Sequence, residues 1–464
     1  MKDLMFGVSG VRGIVGKQLT SKVAEKLGKA FGTYMQVEVK RRSLRARHLK
    51  IVVARDNRES GEELKAALIT GLVSTGCNVI DMGKMATPVM LYNIEKTKSS
   101  GGVIITASHN PSEWNGVKFA GLRGMFLNSN EVEVVRLIYE KSKTEDRGQA
   151  RPDTERVGKT EVKIISDSKG WQRHKVGILD SINRDAIIGR EFKIAIDSPW
   201  YNSISTLLQD LSCKAIEVRS GRESEPLAEQ LSCLSRAVIS NNCDIGFATD
   251  ADGDRLNIVT DKGIALDTEY ILPLVADWVL RLRQGTVATN LSTSKMLEDV
   301  VVRRGSRLVR TKVGEINVVE SMLSSSAVLG GEGNGGVIDP FIHYTRDAYV
   351  GICRILEYLA VSGESISKLF SMLPKYYMKK VKIKSKVADF QPQIKQVFKL
   401  FPNNTLNTED GIRIDFERGS TSGWLHIRQS NTEPIARLIV ETTDKRWTDS
   451  IISDVLKAIR SSKS

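Results

Sequence analysis

One pattern recurs along this chain and narrows its fold more than any other feature. An apolar run of strand length is followed by a glycine-bearing or polar loop, a helical stretch and a second apolar run. The first copy reads Lys50-Ile51-Val52-Val53-Ala54-Arg55-Asp56, then a helix over 64–74, then Gly76-Cys77-Asn78-Val79-Ile80-Asp81-Met82-Gly83. A second runs from Phe192-Lys193-Ile194-Ala195-Ile196-Asp197 through 204–210 to Lys214-Ala215-Ile216-Glu217-Val218. The third runs from Thr286-Val287-Ala288-Thr289-Asn290 through 295–303 to Ser306-Arg307-Leu308-Val309-Arg310. Apolar runs of four or five alternating with helix-period stretches build layered α/β units. The copies are too widely and irregularly spaced for a solenoid, so three related α/β domains with mixed sheets are expected. The last ninety or so residues differ: strands over 379–384, 411–416, 424–429 and 434–442 and helices over 391–401 and 447–459 predict a smaller C-terminal α+β domain. The expected domains are 1–145, 160–259, 260–372 and 373–464, with the polar stretch 141–159 as linker.

Charge is the unusual part of the composition. Lys plus Arg is 68 against 55 for Asp plus Glu, a formal balance of +13. Such a balance fits nucleic acid, an acidic membrane face or small anionic substrates. The only dense basic tract, Lys40-Arg41-Arg42-Ser43-Leu44-Arg45-Ala46-Arg47-His48, has no interleaved aromatics and no zinc-finger or RNA-recognition signature around it. It reads as a solvated loop, and nucleic acid is not the expected partner. No apolar run approaches the roughly 18 residues of a membrane helix, and the first residues lack a signal peptide's apolar centre. A cytoplasmic chain is expected, with the five scattered cysteines as reduced thiols, mostly in the core.

Four clusters carry chemistry. Thr106-Ala107-Ser108-His109-Asn110-Pro111 follows the apolar run 102–105, so Ser108 stands where a strand gives way to a loop, the edge at which α/β sheets present reactive groups. Its hydroxyl needs an activating base or prior phosphorylation to enter a transfer. His109 is adjacent, though sequence neighbours need not face each other, and a plain Asn-Pro turn is the alternative. Asp250-Ala251-Asp252-Gly253-Asp254-Arg255 follows another apolar run. Three alternating carboxylates repel unless a hard divalent cation such as Mg²⁺ neutralises them. An EF-hand calcium loop would place glycine sixth, where Arg255 stands; an aspartyl-phosphatase nucleophile at Asp250 leaves the third aspartate unexplained; a solvated acidic turn is the bland reading. Gly330-Gly331-Glu332-Gly333-Asn334-Gly335-Gly336 lets backbone approach a ligand closely, with Glu332 and Asn334 suited to sugar hydroxyls, or is a flexible connection. Arg428-Gln429-Ser430-Asn431-Thr432-Glu433-Pro434, with Arg437 nearby, describes an anion cradle or an arginine-paired hairpin.

In this order the clusters resemble the α-D-phosphohexomutase family, which covers phosphoglucomutase, phosphomannomutase and phosphoglucosamine mutase. The resemblance runs from Ser9-Gly10-Val11-Arg12-Gly13 to Arg437 and includes Arg55-Asp56-Asn57-Arg58-Glu59-Ser60-Gly61 and Lys312-Val313-Gly314. It implies three α/β domains and a smaller fourth around a central cleft, and a phosphoserine at Ser108 in a catalytic group with His109, Lys118 and Arg12. It implies Mg²⁺ held by Asp250, Asp252 and Asp254 against that phosphate. Sugar hydroxyls would meet Glu332 and Asn334. The substrate's own phosphate would meet Arg428, Ser430, Asn431, Thr432 and Arg437, with Arg255 and Lys312 also on the substrate side. The implied reaction interconverts hexose 6-phosphate and hexose 1-phosphate through a hexose 1,6-bisphosphate that turns over without leaving. Lys118, ten residues beyond Ser108, is the first candidate for proton transfer.

Three departures bear on substrate. The family's sugar loop often reads Gly-Glu-x-Ser-Gly-His; here Asn334 replaces the serine and Gly336 the histidine, so His343 or Arg346 is the expected substitute. The turn after Asp197 reads Ser-Pro-Trp-Tyr-Asn-Ser, where glycines are expected. The stretch 221–226 is short. The loop form most resembles phosphoglucosamine mutases, with phosphomannomutase/phosphoglucomutase as the alternative. A metal-dependent sugar phosphatase and a non-catalytic sugar-phosphate-binding protein are the rival classes. The expected partner is a small sugar phosphate, not a membrane, and the chain a monomer or homodimer.

Overall fold

The apolar runs lack polar alternation because their strands are covered on both faces: all five residues of Gly101–Ile105 and of Ile245–Thr249 are buried. A computed structural model describes residues 4–7, 10–42, 49–108, 110–145, 162–222, 225–384, 387–402, 404–419, 421–429 and 435–461. The chain divides into two units, Met1–Leu266 with Ile338–Gly363, and Asp267–Val337 with Glu364–Ser464.

The first unit holds two sheets. One has seven strands in the order Met5–Gly7, Gly10–Ile14, Trp114–Ala120, Gly101–Ile105, Lys50–Arg55, Asn78–Lys84, Ile164–Ser166. Its first four strands pair antiparallel and the rest parallel. Helices Ser21–Arg41 and Gly61–Ser74 lie against each other on one face. Their backbones touch at two glycines: a Cβ on Gly28 would sit 2.2 Å from the carbonyl oxygen of Leu68, and one on Gly71 1.9 Å from that of Glu25. The second sheet runs Leu256–Thr260, Ile245–Thr249, Lys193–Asp197, Lys214–Glu217, with only the first pair antiparallel.

The second unit also holds two sheets. Arg307–Thr311, Thr286–Asn290 and Leu329–Glu332 pair in parallel, with Gly336–Ile338 next in the same sheet. The other sheet is antiparallel throughout: Tyr377–Lys384, Ile435–Thr442, Thr421–Gln429, Ile412–Arg418, Thr405–Asn407. Helices Val387–Leu400 and Lys445–Ser461 cover it, and Phe390, Ile394, Leu425, Leu438 and Val455 lie in the shared core.

Two segments depart from the contiguous division expected from sequence. Strand Ile164–Ser166 extends the first sheet, pairing with Val79–Asp81. Its three residues are too few to show which sheet they join. Residues 338–363 return to the first unit, where helix Ala348–Ser362 packs on Gly170–Leu179, Arg184–Ile188 and Leu256–Thr260. That helix is buried from Ala348 to Leu359, Arg354 and Glu357 included, and an element buried on every side carries no stripe that names its neighbour. No helix among the described residues is long and apolar enough to cross a membrane.

Candidate active site

Strand Gly101–Ile105 delivers the chain into a tight turn at Ser108, which takes the left-handed backbone conformation at φ 54° and is 2% exposed. A left-handed β-substituted residue is held there against a steric cost of about 1–2 kcal/mol. Ser108 Oγ donates to Asp252 Oδ1 at 3.2 Å, and Lys118 Nζ donates to the other oxygen of that carboxylate at 2.8 Å. Lys118 comes from the neighbouring strand Trp114–Ala120, 5.2 Å above the Phe126 ring. The hydroxyl and the ammonium are thus gathered on the two oxygens of one buried carboxylate.

That carboxylate belongs to the turn after Ile245–Thr249. Asp250, Asp252 and Asp254 are all fully buried, with one oxygen of each within 4.8 Å of the others. The turn needs Gly253 at φ 73°. Asp250 Oδ1 accepts from the backbone N–H groups of Asp254 and Arg255. The Trp200 indole donates to the Ala251 carbonyl at 3.1 Å, so the Ser-Pro-Trp turn that replaces the expected glycines buttresses this loop. Burial, then the charges of Asp252 and Asp254, push Asp250 well above the usual carboxylate range. Burial also acts to raise Asp252, but Lys118, a hydrogen bond from Asp250 and the charge of Arg255 outweigh it and hold Asp252 low. Asp250 Oδ2 and Asp254 Oδ1 are buried without a hydrogen-bond partner among the described residues. Arg255 Nε stands 3.8 Å from both. Three buried carboxylates beside a hydroxyl form an all-oxygen donor set, which suits a hard divalent cation. Cationic side chains rim it: Arg346 donates to Asp254 Oδ2 at 2.5 Å, Arg255 to Glu225 Oε1 at 2.5 Å, and Arg12 to Asn110 Oδ1 at 2.9 Å. Burial lowers Arg12, partly opposed by the nearby Asp252.

The second unit gathers its own group. Glu332 ends strand Leu329–Glu332 at 5% exposure; its Oε1 accepts from Asn290 Nδ2 at 2.8 Å and from the Gly314 N–H at 3.3 Å. Asn334 Nδ2 donates to the other oxygen at 3.4 Å, and Lys312, two residues before Gly314, is exposed. Arg428 and Arg437 face each other directly across strands Thr421–Gln429 and Ile435–Thr442. Burial lowers Arg428; Asp410 opposes that, Arg437 adds to it and Glu332 opposes it. Like charges directly opposite on two strands are unfavourable, and an anion between them relieves that. Asp410 Oδ2 also accepts from the Val313 N–H at 2.9 Å, tying the Lys312 turn to the arginine strands.

Sequence comparison gives the arrangement a lineage. The phosphoglucomutase/phosphomannomutase α/β/α domain I matches residues 3–146, α/β/α domain III matches 267–377 and the C-terminal domain matches 378–458. The chain belongs to the α-D-phosphohexomutase family. It is therefore a mutase, an isomerase that moves a phosphoryl group within hexose phosphates. It is 34% identical over 450 residues, 94% of either chain, to a phosphoglucomutase/phosphomannomutase of Thermococcus kodakarensis. A probable phosphoglucosamine mutase of Methanopyrus kandleri is 29% identical over 470 residues, 98% of this chain and 97% of that one. Among solved structures, a phosphoglucomutase/phosphomannomutase family protein of Burkholderia thailandensis superposes with a TM-score of 0.82 at 25% identity, covering 98% and 97% of the two chains.

Within this phosphohexomutase the first unit brings Ser108, Lys118, Arg12, Arg255 and the three aspartates together, and the second brings Glu332, Asn334, Arg428 and Arg437 together. His109, Ser430, Asn431 and Thr432 lie outside the described residues. His343, expected to replace the sugar-loop histidine, is placed otherwise. It is 6% exposed, its Nε2 lies 2.8 Å from Asp347 Oδ2, and its ring packs against His174 and Tyr92. The reason is local: Asp347 caps helix Ala348–Ser362 and, four residues on, draws the imidazole into the core. Arg346, its alternative, is the one that reaches the aspartate turn. Sequence reading gave no role to Asn290, which donates to Glu332, or to Asp410, whose charge acts on Arg428. Neither sits in a motif, so nothing in the one-dimensional pattern marks them.

Proposed function

We propose that Ser108 carries the transferable phosphoryl group and that the preferred hexose is glucosamine, interconverted between its 6- and 1-phosphates. The observation that carries this is the Ser108–Asp252–Lys118 contact: a strained, buried hydroxyl held on a carboxylate that also holds an ammonium. In the forward step the P–O bond to Ser108 Oγ breaks as one forms to the sugar hydroxyl oxygen, giving hexose 1,6-bisphosphate. The attacking sugar hydroxyl loses a proton as the departing Oγ gains one: Lys118 gives its ammonium proton to Oγ and recovers the one released by the hydroxyl, and the exchange runs in reverse when the other phosphate returns to Ser108. Phosphoryl transfer asks mainly for positioning and charge stabilisation. Asp250, Asp252 and Asp254 suit Mg²⁺, which when bound would neutralise charge on the transferring group. Arg12, Arg255 and Arg346 add fixed positive charge around the same turn. Arg428 and Arg437, with Ser430, Asn431 and Thr432, take the phosphate that is not reacting, and Glu332 and Asn334 take ring hydroxyls or the amino group. On this reading the four sheets are four domains.

The Gly-Glu-Gly-Asn-Gly-Gly loop and the Methanopyrus relative support the aminosugar. The Thermococcus relative favours a second reading, glucose or mannose phosphate. Mutase rates on glucosamine, mannose and glucose 1-phosphates, measured side by side, decide between them; a glucosamine rate below the other two rejects the preference. Incubation with a hexose 1,6-bisphosphate should add one phosphoryl mass, mapped to Ser108. Near-normal turnover by Ser108→Ala would remove the basis of the whole reading.

A further inference from the structure

The left-handed turn at Ser108 has to be enforced by something, because a strained backbone persists only where its surroundings over-determine it. The constraint comes from another strand. Arg58 follows strand Lys50–Arg55, and its guanidinium donates to four backbone carbonyls of the serine loop. Nη2 reaches Ser108 at 2.9 Å and Asn110 at 2.6 Å; Nη1 reaches Pro111 at 2.8 Å and Trp114 at 3.1 Å. Three of those carbonyls precede the strand Trp114–Ala120 and the fourth, that of Trp114, opens it; a rigid planar fork of donors reaches all four together. The fork is itself fixed. Asp56, fully buried, accepts from the Arg58 N–H at 3.0 Å and from Nε at 3.2 Å. The preceding peptide is held from the other side, where the Ser108 N–H donates to Thr106 Oγ1 at 2.9 Å. Thr106 also hydrogen-bonds the Asp56 carboxyl. Both peptide groups that flank Ser108 are therefore tied into one circuit through Asp56, Thr106 and Arg58, and only the Oγ is left to face Asp252.

We infer that Arg58 is a positioning residue for phosphoryl transfer: it sets the backbone of Ser108, and so the direction of its Oγ, without touching substrate. The inference rests on Ser108 as the phosphoryl carrier. A misplacement of about 1 Å at a reacting atom can cost roughly a hundredfold in rate. A lysine at position 58 keeps the charge but offers no fork, so it cannot hold four carbonyls.

The test uses Arg58→Lys, Arg58→Gly and Ser108→Ala in the full chain, with kcat and KM for sugar phosphate, metal affinity and near-ultraviolet circular dichroism measured on each. Arg58→Lys should lose on the order of a hundredfold in kcat, with KM and metal affinity changed by less than about threefold. Millimolar guanidinium should restore at least about tenfold of the activity of Arg58→Gly, which a general loss of folding would not allow. If Arg58→Gly does not fold, the Arg58→Lys split between kcat and KM carries the test alone. An Arg58→Lys enzyme within about twofold of normal kcat, beside an inactive Ser108→Ala, overturns the inference and leaves the phosphoserine reading intact. A KM that rises as much as kcat falls also overturns it, since Arg58 would then act through substrate binding. An active Ser108→Ala overturns the phosphoserine reading instead.

Discussion

Arg428 and Arg437 show how a single residue position acquires chemical meaning. Each is an ordinary strand arginine until the antiparallel register sets them face to face. Two guanidinium groups on adjacent strands, with Glu332 and Asp410 close enough to influence Arg428, are poised for an anion. Losing one charge-assisted bidentate contact should cost on the order of 1.5–3 kcal/mol, so Arg428→Ala is expected to weaken sugar-phosphate binding tenfold to more than a hundredfold. Calorimetric titration with sugar phosphate checks this, with Mg²⁺ affinity as the control that must stay unchanged. The complementary experiment is Asp252→Asn. Asp252 is the carboxylate that touches both Ser108 and Lys118, and its neutralisation removes a ligand charge without removing bulk. The Mg²⁺ concentration for half-maximal activity should rise by at least about tenfold or activity should vanish. An unchanged Mg²⁺ dependence places the metal elsewhere.

The helix pair Ser21–Arg41 and Gly61–Ser74 illustrates the element scale. Glycine inside a helix costs about 1 kcal/mol relative to alanine, so propensity alone favours Gly71→Ala. Packing opposes it, because the new Cβ would stand 1.9 Å from the Glu25 carbonyl oxygen, a backbone atom that cannot swing aside. Forcing extra volume into a close-packed contact costs about 1–3 kcal/mol, and separating two helices lies at or above the upper end. A net destabilisation of about 2 kcal/mol or more is therefore expected, seen as a lower denaturant midpoint. A more stable variant would mean that the helices move apart freely.

Stability against pH belongs to the whole molecule, because two buried groups pull it in opposite directions. Glu269 is raised to about 7, first by burial, with Lys380 opposing. His426 is lowered to about 4, again first by burial, while its hydrogen bond to the Asp410 carbonyl opposes. Between pH 4.5 and 7 the folded protein keeps a proton on Glu269 that the unfolded chain has released, so that contribution is complete below pH 4.5 and is lost as pH rises. Between about pH 4 and 6.5 the unfolded chain protonates His426 and the folded protein does not, so that contribution grows as pH rises. Each amounts to on the order of 3 kcal/mol, and they largely cancel from pH 4.5 to 6.5. Glu269→Gln removes only the first, so its stability relative to the native chain should climb across this window. Melting temperatures at pH 4.5, 5.5, 6.5 and 7 check it; parallel curves for the two proteins would show that Glu269 does not titrate there.

Legibility in the sequence followed the range of the interaction. Ser108 at a strand end, three aspartates around Gly253 and the glycines around Glu332 were readable because strand, turn and charge repulsion are local properties of a few consecutive residues. The α+β character of the C-terminal part was also readable, from its run of strands with two helices, whereas the antiparallel pairing throughout its sheet comes from the structure. Family membership came from those same short motifs. What the sequence could not carry were pairings across long chain separations. Asp252 meeting Ser108 is 144 positions away, and Arg58 reaches the serine loop from 50. Asp347 holds His343 in the core, away from the substitute role that the family resemblance suggested for it or Arg346. Helix Ala348–Ser362, buried on every side from Ala348 to Leu359, went to the first unit rather than to its sequence neighbours. In each case one residue has many possible partners of equal chemistry. The choice among them depends on which surfaces are buried together when the sheets are complete, a property of three-dimensional packing that no local pattern encodes.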